Sequence, residues 1–373
     1  MTYRLTALAA AFALLPLTAS AEQLTLTDVA GREVTLEAPA ERIILGEGRQ
    51  TYLLAILDRE NPFARVVGWR RDLGEADPNT YALYEEKFPQ LADIPTFGGF
   101  KDGTFDVEQA AALKPDVVLM NLEARTATED AGYDDKLAKL GIPIVYVDFR
   151  ENPTVNSIAS MRIMGEITGR EDRANAYIDF VETQMARVTG TLEKASFERP
   201  KVFVDRAGGY SEDCCMTFGP GNFGKYVEIA GGTNIAGDIL PSTFGTLNPE
   251  QIIAANPDHV VVTGGQWDAY VPGGAWVGMG PGSDMEEARK KLQALTRRTA
   301  MTGITAVDTG QFHAIWHQFY DNPYYFVAVQ RLATWLHPEL FPDLDPEETL
   351  KELHKRFLPI DYKPGYWVSL NNE

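Results

Sequence analysis

Arginines and aromatic side chains recur just beyond the short β-branched runs of this chain. Glu47, Arg49 and Tyr52 follow Ile43–Leu45, and Trp69, Arg70 and Arg71 follow Val66–Val67. Asn121, Glu123 and Arg125 follow Val117–Met120. Arg206 and Tyr210 follow Val202–Val204, and Gln266, Trp267 and Tyr270 follow Val260–Val262. His313, Trp316, His317 and Tyr320 follow a strand expected near Ala306–Val307. A guanidinium fork holds oxyanions through paired hydrogen bonds. Trp and Tyr offer flat contact area at low entropy cost. Together these residues suit the grip of an anionic ligand with flat or apolar parts. Arg49, Arg70 and Arg206 are the leading clamps.

The chain offers little to catalysis. It has no G-x-S-x-G elbow, no H-E-x-x-H helix and no Gly-rich phosphate loop after the first strand, so a periplasmic hydrolase is the weaker reading. His313 and His317 are four apart and would share a face on a helix, but bare-metal carriers need more ligands from both halves of a protein. The chain has five His, none in its first half, so no metal site is assigned. Gly273-Gly274, Trp276 and Gly278 to Gly282 lie in a long stretch from Trp267 to Met285, which reads as a mobile flap over a cleft.

The elements that must position these residues repeat. Phe105-Asp-Val-Glu-Gln-Ala-Ala-Ala-Leu-Lys-Pro-Asp-Val-Val-Leu-Met120 returns as Leu247-Asn-Pro-Glu-Gln-Ile-Ile-Ala-Ala-Asn-Pro-Asp-His-Val-Val-Val262. Each copy reads as a capped helix, a Pro-Asp turn and a buried strand. Two copies this far apart suit two similar α/β lobes with parallel sheets and a ligand cleft between them. In such lobes a ligand lies beyond the C-terminal strand ends, where the arginines and aromatics stand.

Leu24 to Leu36 reads as a hairpin around Gly31-Arg32, and Asp130 to Leu140 as a helix. Gln293 to Asp308 carries a helix end and a strand. Pro153 to Lys194 has helical spacing throughout, as one long helix or as two segments broken at Gly169, and forms a spine between the lobes. The expected division is a signal peptide at 1–21, an N-terminal lobe at 22–150, a connecting helix at 151–196 and a C-terminal lobe with terminal helices at 197–373.

Arg4, the apolar stretch Leu5 to Leu17 and the Ala19-Ser20-Ala21 site form a secretory signal. No Cys follows the apolar stretch, so the expectation is a periplasmic protein without a lipid anchor. The net charge of −19 excludes nucleic-acid binding through a general field. Cys214 and Cys215 are adjacent, and an oxidising compartment leaves either a vicinal disulfide or two buried thiols.

Several motifs occur in a telling order: Asp28-Val-Ala-Gly-Arg-Glu-Val34, Arg42-Ile-Ile-Leu45, Val66-Val-Gly68, the first repeat, Leu140-Gly-Ile-Pro-Ile144, Ala230-Gly-Gly-Thr-Asn-Ile-Ala236 and the second repeat. Together they resemble the class III periplasmic substrate-binding proteins that serve ABC importers of ferric siderophores, haem and cobalamin. The resemblance implies an α/β fold: two nitrogenase-like α/β lobes with central parallel sheets, joined by a long rigid helix. It implies a monomer with no catalysis and no intrinsic cofactor. The expected ligand is a ferric siderophore, with haem or cobalamin as the alternative, and the expected partner is an ABC permease in the inner membrane. The candidate ligand-binding residues, from their places after the strands and in the Gly-rich stretch, are Arg49, Tyr52, Trp69, Arg70, Arg71, Arg206, Tyr210, Trp267, Tyr270, Trp276, Trp316, His317 and Tyr320. Tyr52 reads as an aromatic wall, with phenolate ligation of haem iron as the alternative. Family members dock through an acid on each lobe's rim. Glu228 stands at the second-lobe position. In the first lobe Tyr52 stands where the family usually has Glu, and Glu47 is the substitute.

Overall fold

A computed structural model describes residues 22–211 and 214–371. The signal-peptide expectation lies outside the described residues. A hairpin opens the described chain. β1 (Glu22–Thr27) and β2 (Glu33–Ala38) pair antiparallel, with Leu26 opposite Val34 and Leu24 opposite Leu36. Asp28 closes the turn. Its carboxylate accepts the Ala30 and Arg32 backbone N–H groups at 3.0 Å and the Arg32 guanidinium at 2.9 Å. Gly31 sits there at φ +77°, a conformation that costs other residues energy.

The first lobe is built on a parallel sheet of β3 (Ile43–Leu45), β4 (Val66–Trp69), β5 (Val117–Asn121) and β6 (Ile144–Val147), in the order β4-β3-β5-β6. The second lobe adds β7 (Lys201–Asp205), β8 (Met216–Phe218), β9 (Thr233–Asn234), β10 (Phe244–Thr246), β11 (His259–Gly264), β12 (Phe312–Trp316) and β13 (Trp367–Ser369). Its main sheet runs β13-β12-β11-β7-β9, parallel except where β13 meets β12. β8 and β10 form a small antiparallel ribbon beside it.

The two repeat copies occupy matching places. The helix Val107–Ala112 leads into β5, and the helix Pro249–Ala255 leads into β11. Both strands are buried at every residue, with neighbours on both sides. Asp106 caps the first helix by accepting the Gln109 N–H, and Asn248 caps the second in a reciprocal box with Gln251. The Pro-Asp turn then does the same work twice. Asp116 Oδ2 accepts the Glu41 and Arg42 N–H groups at 2.8 Å at the entry to β3. Asp258 Oδ2 accepts the Lys201 N–H at 2.7 Å at the entry to β7. Each aspartate thereby fixes the register of the adjoining strand, which explains why this residue recurs.

Of the two alternatives for the spine, the chain adopts the broken one. The helix Pro153–Thr168 ends at Gly169, which takes φ +63°, and the helix Glu171–Leu192 departs from there. The second helix has 22 residues, roughly 33 Å at 1.5 Å per residue. It is fastened to both lobes. Arg173 Nε donates to the Ile56 carbonyl of the first lobe at 2.7 Å. Tyr177 Oη donates to the Pro323 carbonyl of the second at 2.7 Å, and Gln330 Nε2 donates to the Gln184 carbonyl at 3.1 Å.

Two local expectations are corrected. The expected helix at Asp130 to Leu140 is two short ones, Arg125–Asp130 and Tyr133–Ala138, because Gly132 takes φ +65° between them. The strand expected near Ala306–Val307 is the short helix Thr305–Asp308. Gly310, at φ +71°, turns the chain, and the strand that follows is β12, buried at all five residues.

Candidate ligand-binding site

The turn after β3 brings Arg49 to the lobe boundary. It needs glycine: a Cβ on Gly46 would come within 2.6 Å of the Leu119 carbonyl, and one on Gly48 would overlap the Arg70 carbonyl. Glu47 forms a capping box with Gln50. Asn121, at the end of β5, joins them: its Nδ2 donates to Glu47 Oε2 at 2.7 Å, and its Oδ1 accepts from Gln50 Nε2 at 3.1 Å.

Opposite this turn lies a cavity of about 270 Å3 at the C-terminal ends of the second-lobe strands. Arg206, Ala207 and Tyr210 enter it after β7, and Met216 enters from β8. Trp267 and Tyr270 follow β11, and His317, Gln318 and Tyr320 follow β12. The first lobe contributes Arg49 and Ala76, so the wall belongs mainly to the second lobe. The rings form a continuous surface. Tyr210 meets Trp267 at 5.5 Å, Trp267 meets His317 at 5.3 Å, and His317 lies 4.3 Å from Tyr320. Tyr270 is 44% exposed and marks the mouth.

A buried ion network backs the cavity. Arg49 Nε donates to Asp72 at 2.8 Å, Nη1 lies 2.5 Å from Tyr320 Oη and 2.8 Å from Asp321, and Nη2 lies 3.2 Å from Glu47. Arg150 donates to Glu47 at 2.7 Å and also pairs with Glu123 and Asp321. Burial by itself lowers the basicity of both arginines, but Tyr320 and Asp321 (for Arg49) and Asp321 and Glu47 (for Arg150) outweigh it and raise it above the ordinary value. Burial works against the Glu47 carboxylate too, yet Arg150 and Arg49 hold it below its ordinary range. Asp321 goes the other way: burial pushes it up to about 6. His317 is held well below its ordinary value by burial and by Arg206, Arg49 and Arg150, so it is neutral near pH 7.

Arg206 differs from the other two arginines. Its guanidinium lies 4.8 Å over the Phe244 ring and, among the described residues, makes no hydrogen bond or ion pair. Its Nε, like that of Arg150, is sealed from solvent without a partner. Burial lowers its basicity, with Arg150 adding repulsion.

Seven of the expected ligand-binding residues therefore meet in one cavity: Arg49, Arg206, Tyr210, Trp267, Tyr270, His317 and Tyr320. Six lie elsewhere. Tyr52 is buried and donates to Asp77 at 2.6 Å. Trp69 is buried against Tyr81 and Phe63. Arg71 donates to Tyr81 Oη at 2.8 Å, and Arg70 stands outside the cavity wall. Trp316 packs edge-on against Tyr52 and Phe319. Trp276 donates its Nε1 to the Val271 carbonyl at 3.0 Å.

The later half of the expected flap, from Trp276 on, is packed down. Trp276, Val277 and Met279 are buried, and Gly280 and Gly282 donate to the Gly365 and Pro364 carbonyls. That half of the segment is anchored. His313 and His317 share no helix face. His313 lies within β12, stacked on Trp335 and bonded to Ser369 at 2.8 Å. Glu47 is 4% exposed with its carboxylate consumed by the network, which removes it from the rim. Glu228 is half-exposed and pairs with Arg199 at 2.9 Å. Cys214 and Cys215 are joined as a vicinal disulfide just before β8.

Arg150, Asp72 and Asp321 escaped the sequence reading. Arg150 follows β6 by three residues, so the strand-end rule extended to that strand leads to it. No sequence signal marks the two aspartates.

Residues 65–317 match the family described as periplasmic binding protein. A cobalamin-binding protein of Halobacterium salinarum is 26% identical over 244 residues, 64% of this chain and 58% of that relative's length. The chain thus spans little over half of that curated relative. The TroA-like periplasmic binding protein FepB from Veillonella parvula superposes with a TM-score of 0.83 at 26% identity, covering 93% of this chain and 99% of that one. The molybdate-bound MolA of Haemophilus influenzae superposes with a TM-score of 0.70 at 18% identity over 91% of this chain and 99% of that one, a likeness of fold alone. Two lobes with central parallel sheets, a cavity between them and a family match over most of the chain agree: this protein belongs to the periplasmic binding protein family, in its TroA-like class III branch, and is a solute-binding protein, not an enzyme.

Proposed function

We propose that this protein is the periplasmic solute-binding component of an ABC importer, which takes a ferric siderophore into the interlobe cavity and delivers it to a permease in the inner membrane. The observation that carries this reading is Arg206, a partly buried guanidinium that lines an aromatic-walled cavity and has no ion-pair partner among the described residues. A buried donor without an acceptor costs free energy, and an anionic ligand oxygen removes that cost. The aromatic wall suits the flat or apolar arms of an iron chelate.

The kinship to a cobalamin-binding protein supports a metal-chelate ligand. The cavity favours the smaller chelate. Its volume of about 270 Å3 lies just below the ~300–1,000 Å3 typical of small-molecule pockets, so a whole corrin or haem would rest largely across the mouth. Half-exposed Glu228 is the second-lobe candidate for permease contact; its side chain lies clear of the cavity.

Tryptophan-fluorescence titration of the protein with ferric siderophores, haemin and cobalamin tests the reading. Saturable quenching by ferric siderophores, with weaker or no response to the other two, is the expected result. A response to haemin or cobalamin alone would overturn it.

A further inference from the structure

The two cavity arginines are not equivalent, and the difference bears on ligand charge. Every nitrogen of Arg49 already has an acceptor: Asp72 on Nε, Tyr320 and Asp321 on Nη1, and Glu47 on Nη2. Arg206, among the described residues, has none. Among the described residues, the cavity wall therefore presents one unanswered cation.

The charges behind the wall limit what that cation can hold. Glu47, Asp72, Glu123 and Asp321 face Arg49, Arg150 and Lys101, the last 2.5 Å from Glu123. Among the described residues this leaves one surplus carboxylate in the network behind the wall. His317 adds no charge, since burial and the three arginines keep it neutral. A ligand's second and third negative charges would meet the surplus carboxylate in a poorly screened site of an acidic protein. A neutral ligand would leave Arg206 desolvated and unpaired.

Resting on the iron-chelate reading above, we propose that the cavity selects complexes that present a single negative charge to Arg206, over both neutral and multiply charged ones.

The test is a charge-graded titration of the protein by tryptophan quenching, at pH 7.5 and fixed ionic strength. The probes are a neutral ferric trihydroxamate, the same complex bearing one pendant carboxylate, and a trianionic ferric triscatecholate. The carboxylate-bearing complex is expected to bind about tenfold or more tighter than its neutral parent, the equivalent of one charge-assisted hydrogen bond. The triscatecholate is expected to bind no tighter than the monoanion. In Arg206→Gln the tenfold difference should fall to roughly twofold or less, as the charged donor is gone, while the melting temperature stays unchanged. Tighter binding of the trianion, or an undiminished preference in Arg206→Gln, would overturn the charge rule and leave the iron-chelate reading intact. Silence from all three complexes would overturn both.

Discussion

Arg49 reaches across the lobe boundary to Asp321, with Nη1 2.8 Å from Oδ2. Arg150, also from the first lobe, pairs with the same oxygen. One carboxylate of the second lobe thus fastens two guanidiniums of the first. The Glu171–Leu192 helix is not the only brace between the lobes; the back of the cavity is another.

Removing that carboxylate should loosen the lobes. Each arginine keeps other acids, Asp72 and Glu47 for Arg49, and Glu47 and Glu123 for Arg150. Asp321→Ala is therefore expected to cost about 3 kcal/mol, the low end for a broken buried pair. The measurement is the urea midpoint, which should fall with little change in slope. An unmoved midpoint would mean that the network does not hold the lobes.

Arg206 and Arg49 should part company when replaced. Arg206 has no carboxylate among the described residues, so Arg206→Ala should weaken ligand binding by about 1–3 kcal/mol and leave the melting curve nearly in place. Arg49→Ala takes the cation from Asp72, which keeps only the Gly48 N–H, and leaves Arg150 as the one guanidinium on Glu47 and Asp321, so it should lower the melting temperature as well as affinity. Paired titrations and melts separate the two. Equal thermal losses would contradict the distinction drawn between them.

The second-lobe half of the cavity was legible because the strand-end rule holds wherever side chains past a strand turn toward the cleft, as Arg206, Tyr210, Trp267 and Tyr270 do. It failed after β4. Trp69 there bridges to Thr96 and stacks on Tyr81, so its ring faces the core. Arg150 was hidden by a turn. Asp148 accepts the Arg150 and Glu151 N–H groups at 2.9 and 2.8 Å and brings the chain back to the lobe boundary. With 53 acidic residues in the chain, nothing local marks Asp72 and Asp321 as the ones that meet Arg49. That pairing exists only in three dimensions. The lobes themselves were legible because the Pro-Asp turn is constrained by a backbone bond in each copy.

Gly169 sets the turn between the two spine helices. Its φ of +63° is unfavourable for an L side chain, and an added Cβ would lie 3.2 Å from the Pro39 Cβ. Gly169→Ala should therefore destabilise the protein by about 1–2 kcal/mol. The control is Gly190→Ala, within the helix Glu171–Leu192, where a Cβ meets nothing within 4 Å and helix propensity favours Ala. Chemical denaturation of both variants should show opposite signs. A stabilised Gly169→Ala would show that the turn is not fixed by this residue.

Asp77 provides the clearest pH signature. It caps the helix Pro78–Lys87 and accepts the Tyr52 hydroxyl at 2.6 Å, and burial raises its carboxyl to about 6. In the unfolded chain the same group titrates near the ordinary value of about 4. Between those two values the folded state binds more protons, so this group's contribution to stability falls as pH rises from about 4 to about 6 and is flat above. His259 and His354, pushed down to about 4 by burial, act oppositely. There the unfolded state binds more protons, and stability falls as pH drops from about 6.5 to about 4. The wild-type profile between these limits mixes both trends, and a difference between variants isolates one. Asp77→Asn keeps an acceptor for Tyr52 and for the cap but cannot ionise. Its stability relative to wild type should rise between pH 4.5 and pH 7.5 by an amount on the order of 2 kcal/mol. Denaturation at the two pH values measures it, and a constant difference would mean that Asp77 ionises in the folded protein as readily as in water.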